Sequence, residues 1–368
     1  MSRILKKLEK VLKWPIYSIV TVFLSKKDQQ LPLDGNSMQR ILLVRDDRIG
    51  DMVVSLPLIQ FIKDTFPHLK IDILCSKSNY GILKDNLNIY QKYILPKSKI
   101  KRVFYLRSLK KNNYDCIIPL VFLKKSRYGF FSQIIQTKNT TSVVFETSNK
   151  EPYSKIFSVM SSIPYGNFTM TEVILRWFCL LFNVSFKDQY LSLPISIPNE
   201  NKTVAETYLK NHSLEGTLVV YNVSASESIR QLEIQTHIEF LDLILQKYPT
   251  FSIIILYIEK DIETIVELKR HFGNSLYFFE PTNELFDTIA LLEKATFVVS
   301  PNTAITHVTA SLDIPLLSIQ SYLSTPEWKP KHSKYRLVTA KEKGNVSNIQ
   351  ANELMSAFSS LINDYTQQ

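Results

Sequence analysis

The hydrophobic pattern changes period repeatedly along the 368-residue chain. Short, nearly continuous aliphatic runs at "RILLV" (40–44), "KIDILC" (70–75), "YDCIIPLVF" (114–122) and "TSVVFE" (141–146) predict strands buried on both faces. Between them "DMVVSLPLIQFIKDTF" (51–66), a basic stretch before residue 114 and "SRYGFFSQIIQ" (126–136) read as helices. The apolar helix "TEVILRWFCLLFNV" (171–184) closes this half. "LSLPISIPNENK" (191–202) carries two prolines and no helical period, which marks a linker. The alternation then restarts, with strands expected at 216–224, 251–258, 275–279, 296–300 and 315–320 and helices at 237–248, 262–272, 285–295, 303–312 and 348–365.

Strands alternating with helices of these lengths predict an α/β fold of parallel sheets covered on both faces. The expected organisation is two doubly wound, Rossmann-like domains at 36–192 and 203–345, joined by a linker at 193–202 and followed by a C-terminal helix at 346–368. Such sheets bind ligands outside the carboxyl ends of their strands, so the site is expected in a cleft between the two domains. Length agrees, because 368 residues exceed one core of usual size. Hydrophobic residues at 45% and charged residues at 21% are ordinary for a folded soluble protein.

Charge changes the picture more. The net charge is +10, but residues 91–138 hold 12 Lys/Arg against one acid, Asp115, and residues 1–30 hold 7 basic against 2 acidic groups. The rest of the chain is net acidic. One region of the first half therefore faces something anionic. Within residues 1–35 the apolar run from Trp14 to Leu24 is too short to span a bilayer and lacks a small-residue cleavage site, which argues against a secretory signal. Lys6, Lys7, Lys10 and Lys13 beside Ile4, Leu5, Leu8, Val11 and Leu12 suit either an amphipathic helix on an acidic membrane face or a helix packed on the protein's own body. Cys75, Cys116 and Cys179 are odd in number and far apart, neither a disulfide framework nor a metal cluster. They read as small core hydrophobes in a reducing compartment. Tyr105, Tyr114, Tyr128, Phe130 and Phe131 lie among basic residues, but in apolar strand and helix patterns and with no nucleic-acid motif, so nucleic acid is not an expected partner.

Two loops carry candidate chemistry. In "RILLVRDDRIGDMVVSLP" (40–57) a buried strand meets three acids and one of only 8 glycines in the chain. Gly50 is expected where the backbone needs a positive φ or approaches a ligand closely. Asp51 is expected to start the helix, either as its N-cap or as a functional carboxylate. In "FVVSPNTAITHVTASLDIPLLSI" (297–319) a strand ends in Ser-Pro-Asn-Thr and a helix begins near Thr303, whose free backbone N–H groups and dipole suit a phosphate. Thr303 or Asn302 also reads as a plain cap, and His307 as a packed core residue.

The ordered set of these motifs resembles glycosyltransferase family 9, the ADP-heptose:lipopolysaccharide heptosyltransferases. "ILLVRDDRIGDMVVSLPLIQFIKDTFP" is similar to the family's amino-terminal signature, "VVYNVSASESIRQLEIQTHIEFLDLIL" to its diphosphate loop, and "VVSPNTAITHVTASLDIPLLSI" to its carboxy-terminal signature. The resemblance covers about residues 40–330. It implies a GT-B architecture and inverting, metal-independent sugar transfer from ADP-heptose with no cofactor. The absence of an Asp-x-Asp motif agrees with that. By resemblance Asp51 is the catalytic base. Ser224, Ser226, Ser228, Arg230, Asn302, Thr303, Ala304 and His307 hold the donor, with Glu263 on its ribose. Arg48, Gly50, Lys99, Lys101, Arg102, Lys124, Lys125 and Arg127 face the acceptor, a phosphorylated, Kdo-bearing lipid A core at the cytoplasmic face of the inner membrane. That location makes a cytoplasmic, peripheral enzyme. Asn302 stands where the family usually has Asp, Ala304 where it has Gly and Arg230 where it has Lys. These departures bear on the identity of the sugar and leave room for another nucleotide-hexose donor or an inactive relative.

Overall fold

A computed structural model describes residues 29–122, 125–146, 156–192, 195–225, 227–282, 284–321, 326–329, 334–341 and 346–366. The expected amphipathic segment of residues 1–35 lies outside them except for 29–35. The chain divides into two compact units, Met1–Tyr190 and Leu191–Gln368. Among the described residues no helix is long and apolar enough to cross a membrane.

In the first unit β1 (Arg40–Arg45), β2 (Lys70–Cys75), β3 (Gln91–Ile94), β4 (Cys116–Pro119), β5 (Thr141–Phe145) and β6 (Val159–Ser161) form one parallel sheet in the order β3-β2-β1-β4-β5-β6. Helices α1 (Ile49–Val53), α2 (Leu56–Thr65), α3 (Lys99–Leu109) and α4 (Lys125–Ile135) lie in its crossovers, and α5 (Met170–Phe182) follows β6. Aliphatic strands form this sheet because both faces are covered, and residues 41–44 of β1 are 0% exposed. Helix α5 starts on a reciprocal capping box: Glu172 N–H donates to Thr169 Oγ1 at 3.3 Å and Thr169 N–H to Glu172 Oε2 at 2.9 Å. It buries Trp177 against Phe145 and Phe122, and Phe178 edge-on to Phe61 of α2.

The second unit repeats the plan. Its strands β7 (Leu218–Asn222), β8 (Ser252–Leu256), β9 (Tyr277–Phe279), β10 (Phe297–Pro301), β11 (Leu316–Gln320) and β12 (Tyr335–Thr339) are parallel in the order β12-β11-β10-β7-β8-β9. Helices α6 (Asn199–Asn211), α7 (Ile234–Lys247), α8 (Ile262–Phe272), α9 (Leu285–Glu293), α10 (Ala304–Ser311) and α11 (Ala351–Thr366) surround them. Helix α11 packs on α7 and β12, and its Phe358 meets Phe240 and Phe297 in the core. Counted from its own first strand, each sheet has the order 3-2-1-4-5-6, so its topological switch point lies between its first and fourth strands. Ligands bind at that point in open α/β sheets. The topology therefore singles out the loops after β1 and β4 in one unit and after β7 and β10 in the other.

Several elements differ from the expected pattern. The stretch 51–66 is two helices because Pro57, at the second position of α2, can neither donate an N–H nor tolerate the preceding turn's carbonyl, so the helix breaks at 54–55. Helix α6 begins inside the stretch read as linker. It is a polar helix that buries only Asn201 and Ala205 and is tied to α9 by Asn201 Nδ2 donating to Asp287 Oδ1 at 2.7 Å. All three cysteines are free and buried, and burial pushes the Cys75 thiol up to about 12 and the Cys179 thiol up to about 11.

Candidate functional site

Strand β1 delivers Arg45 to the switch point of the first unit, where it is 3% exposed and surrounded by acceptors. Its Nε donates to the Asp51 carbonyl at 2.8 Å and its Nη1 to the Leu120 carbonyl beyond β4. Its charge faces Asp47 Oδ2 at 3.3 Å and Asp51 Oδ1 at 3.5 Å. Ser55, freed by the break before Pro57, donates its hydroxyl to the same Asp51 carbonyl at 2.8 Å. Two side chains thus clamp the backbone of Asp51, while its carboxylate keeps 16% exposure. Asp51 is the third residue of α1, not its cap; the cap position belongs to Arg48, whose side chain makes no capping bond.

The other two acids of the loop are held differently. Asp46 is taken by Arg127 Nη2 and by the Tyr128 hydroxyl at 2.7 Å, both from α4. Arg127 is therefore a partner of the loop, with 33% of its side chain exposed. Asp47 keeps Oδ1 buried without a hydrogen-bond partner among the described residues, and burial, with the charges of Asp51 and Asp46 adding and Arg45 opposing, pushes its carboxyl up to about 7. Because the folded chain holds this proton more tightly than the unfolded one, the group's contribution to stability falls as pH rises from about 4 to about 7 and is flat above. The expected loss is about 2–4 kcal/mol from this group alone. Urea midpoints at pH 5 and pH 8 should therefore differ less in Asp47→Asn than in the parent protein, and equal differences would contradict the assignment.

Gly50 is buried inside α1, and the glycines with positive φ among the described residues are Gly166, Gly216 and Gly273, so the expectation of a left-handed turn at Gly50 is corrected. Among the expected acceptor residues, Arg48, Lys99 and Lys101 are exposed. Arg102 turns back to donate to the carbonyls of Pro96 at 3.1 Å and Lys97 at 3.2 Å, which fixes the loop before α3. Lys125 opens α4, and Lys124 lies outside the described residues.

In the second unit the loops after β7, β8 and β10 converge. Buried Asn222 at the end of β7 donates Nδ2 to Ser300 Oγ at 3.0 Å and to the Ser224 carbonyl at 3.2 Å, and its Oδ1 accepts from Ser224 N–H at 3.1 Å. Arg230, on a short 3-10 turn at Ser228–Arg230, donates Nη1 to the Asn302 carbonyl at 3.0 Å. Its Nε is buried with no hydrogen-bond partner among the described residues, and Glu227 lies 3.8 Å away. A cation thus stands beside the start of α10, whose first backbone N–H groups have no partner within the helix. Thr303 is the cap of α10 in a box with Thr306. Asn302 is buried at 7%, and Ala304 is the first helical residue and half-buried. His307 is buried in α10 with its ring edge-on to Trp328 at 5.9 Å, a packed position. Ser228 is exposed and Ser226 lies outside the described residues.

Glu263 lies exposed on the first turn of α8, away from this network. The acid that joins it is Asp261, two residues earlier and buried, whose Oδ2 accepts from the Ser224 hydroxyl and whose Oδ1 accepts from Gln231 Nε2 at 3.3 Å. Strand β8 is the neighbour of β7, so the end of its loop abuts the serine loop; that adjacency was the available signal for Asp261.

The sequence profile of glycosyltransferase family 9 (heptosyltransferase) matches residues 102–356, a span that includes Arg230 and the α10 turn and begins after Asp51. Lipopolysaccharide heptosyltransferase 3 of Escherichia coli K12 is 36% identical over 78 residues, 19% of this chain and 23% of that protein. Lipopolysaccharide heptosyltransferase 1 of Campylobacter coli is 32% identical over 103 residues, 27% of this chain and 30% of that protein. The chain thus matches less than a third of the length of these curated relatives. Among solved structures, a family 9 glycosyltransferase of Veillonella parvula superposes with a TM-score of 0.75 at 12% identity, covering 90% of this chain and 99% of that one. E. coli heptosyltransferase WaaC with ADP gives 0.67 at 17% identity, covering 88% and 99%. These likenesses establish the GT-B fold, and with the profile match over most of its length the chain belongs to glycosyltransferase family 9, the heptosyltransferases.

Proposed function

We propose that the protein is an inverting, metal-independent glycosyltransferase that moves a heptose from ADP-heptose to the Kdo/heptose inner core of lipopolysaccharide or lipooligosaccharide. In this reading Asp51 accepts the proton of an acceptor hydroxyl as that oxygen attacks the anomeric carbon. The bond from that carbon to the diphosphate breaks, the configuration inverts, and ADP leaves with the added negative charge. Arg230 and the amino terminus of α10 stabilise that charge. Asn222, Ser224 and Asp261 hold the loop that carries Arg230. The acceptor is an anionic glycolipid at the cytoplasmic face of the inner membrane, met by Arg48, Lys99 and Lys101.

One observation carries the reading: the Arg230 guanidinium, bonded to the Asn302 carbonyl, stands beside the first turn of α10 at the switch point where such sheets bind their ligands. A guanidinium beside the free N–H groups of a helix start suits an anion, and a nucleotide diphosphate fits it in a family whose members include WaaC, solved with ADP and with ADP-2-deoxy-2-fluoro heptose. Calorimetry with ADP, UDP and GDP tests the donor: ADP should bind at least ten-fold more tightly than the others. Mass spectrometry of the core oligosaccharide from a deletion strain tests the step, with loss of one heptose expected. Loss of a hexose would favour the second reading, a same-fold enzyme with another nucleotide-hexose donor, which Asn302 and Ala304 at the family's usual Asp and Gly positions keep open. An unchanged core would indicate a relative that binds nucleotide sugar without transferring it.

A further inference from the structure

Helix α3 is inside out. Its buried side is narrow, Leu106 and Leu109 with Arg102 and Tyr105 half covered. The opposite side, where a water-soluble helix places its charges, carries Ile100 at 72%, Phe104 at 70% and Val103 at 49% exposure. Spacing of i, i+3 and i+4 sets these three on one patch, and the same ridge continues through Arg107 and Lys111, both exposed. Lys97, Lys99 and Lys101 are exposed around the amino-terminal end. None of these cations makes an ion pair with another described residue.

Compensating acids are missing nearby. Helix α4, which packs on α3, contains none. The single acid between residues 91 and 138, Asp115, spends its carboxylate on the backbone N–H groups of Gln39 at 2.7 Å and Arg40 at 2.9 Å. The result is an apolar patch with an aromatic at its centre and an unneutralised cationic border. A protein partner's apolar surface would match the patch and leave the border unanswered. A polyanion such as RNA would match the border and leave the aliphatic side chains in water. A bilayer with anionic headgroups matches both, since apolar side chains enter below the headgroups while Lys and Arg stay at their level.

We propose that the Ile100–Val103–Phe104 face of α3 docks the enzyme on an anionic lipid bilayer. The proposal rests on the functional reading above in one respect, that the acceptor is a membrane glycolipid, and deepens it by naming the surface that meets the lipid.

Vesicle sedimentation of the full chain tests it. Wild-type protein should bind phosphatidylglycerol/phosphatidylcholine vesicles, bind pure phosphatidylcholine at least ten-fold more weakly, and lose affinity as salt is raised. Ile100→Ser/Phe104→Ser should lower affinity for the mixed vesicles at least ten-fold, because each apolar side chain that no longer inserts removes about that factor. Arg107→Gln/Lys111→Gln should cost about five-fold per charge and flatten the salt dependence. All four positions are on the surface, so an unchanged melting temperature and unchanged ADP affinity serve as controls for folding.

Equal binding by wild type and the Ile100/Phe104 variant overturns the proposal, since another segment then does the docking. So does a wild-type dimer that this variant makes monomeric, or oligonucleotide binding that the charge variant loses and the apolar variant keeps. Failure of the functional reading looks different: vesicle binding persists as described while ADP does not bind and no glycolipid is altered.

Discussion

Replacement of Asp51 by Asn is expected to slow sugar transfer about 10³-fold, within the 10²–10⁴ range of a lost general base, with ADP affinity unchanged. The change is nearly isosteric, and the features that position residue 51 survive it. Arg45 Nε and the Ser55 hydroxyl both bind the backbone carbonyl of residue 51, not its side chain. What the variant loses is the charge facing Arg45 Nη2 at 3.5 Å and, with it, the capacity to take a proton from the acceptor. In the proposed reading the donor seat belongs to the other unit, so calorimetry with ADP should give the parental value while the rate of glycolipid product formation collapses. The Ala variant should lose the same factor, because a base that cannot accept a proton is equivalent to no base. Retention of more than a tenth of the parental rate by Asp51→Asn would remove Asp51 from the role and leave it as part of the Arg45 cluster. Asp47 would then be the next carboxylate to test, since its Oδ1 has no partner among the described residues.

How far the chain could be read before its structure follows from what burial demands of each element. Central strands such as β1 and β10 are covered on both faces and flanked on both sides, so their middles are continuously aliphatic and announce themselves. Strands β3, β6 and β12 were not anticipated. Each is an edge strand with a single neighbour, and "QKYI" and "YRLVT" keep a mixed pattern because part of each faces solvent. Helix α6 was hidden for a related reason: it buries two residues, and its hold on α9 is an amide–carboxylate bond that no hydrophobic period reports.

The candidate site shows the same division. Asp51 and Arg230 are legible because a strand, a turn and a helix surround each of them in fixed order. Their supports are not. Asp46 is paired with residues 81 and 82 positions away, and Ser224 with an acid 37 positions away. Only strand order brings such groups together, and strand order is a property of the sheet that no local window contains. A charge map counts cations but does not say which already have partners, as Arg127 and Arg102 do.

Arg230 is the residue through which the donor reading stands or falls. Its replacement by Ala should lower kcat/KM about 10²–10³-fold, the usual effect of removing a donor aimed at developing charge. Most of that loss should appear in kcat, because the leaving diphosphate is more negative in the transition state than in the bound sugar nucleotide. ADP affinity should fall by about 10- to 150-fold, the equivalent of a charge-assisted hydrogen bond of about 1.5–3 kcal/mol. The substitution also removes the Arg230 hydrogen bond to the Asn302 carbonyl, a cost of about 1 kcal/mol or more in stability. A purely structural role would therefore lower the melting temperature as well. Arg230→Lys separates the two. Lys returns the charge that the family usually carries at this position but cannot reproduce the fork that spans the Asn302 carbonyl and a phosphate oxygen together. If the guanidinium acts on the diphosphate, the Lys variant should recover most of the lost kcat while keeping part of the loss in stability. If it acts only as a strut for the α10 turn, the Lys variant should track the Ala variant in melting temperature, and both should bind ADP as the parent does. That second outcome would withdraw the diphosphate from this seat.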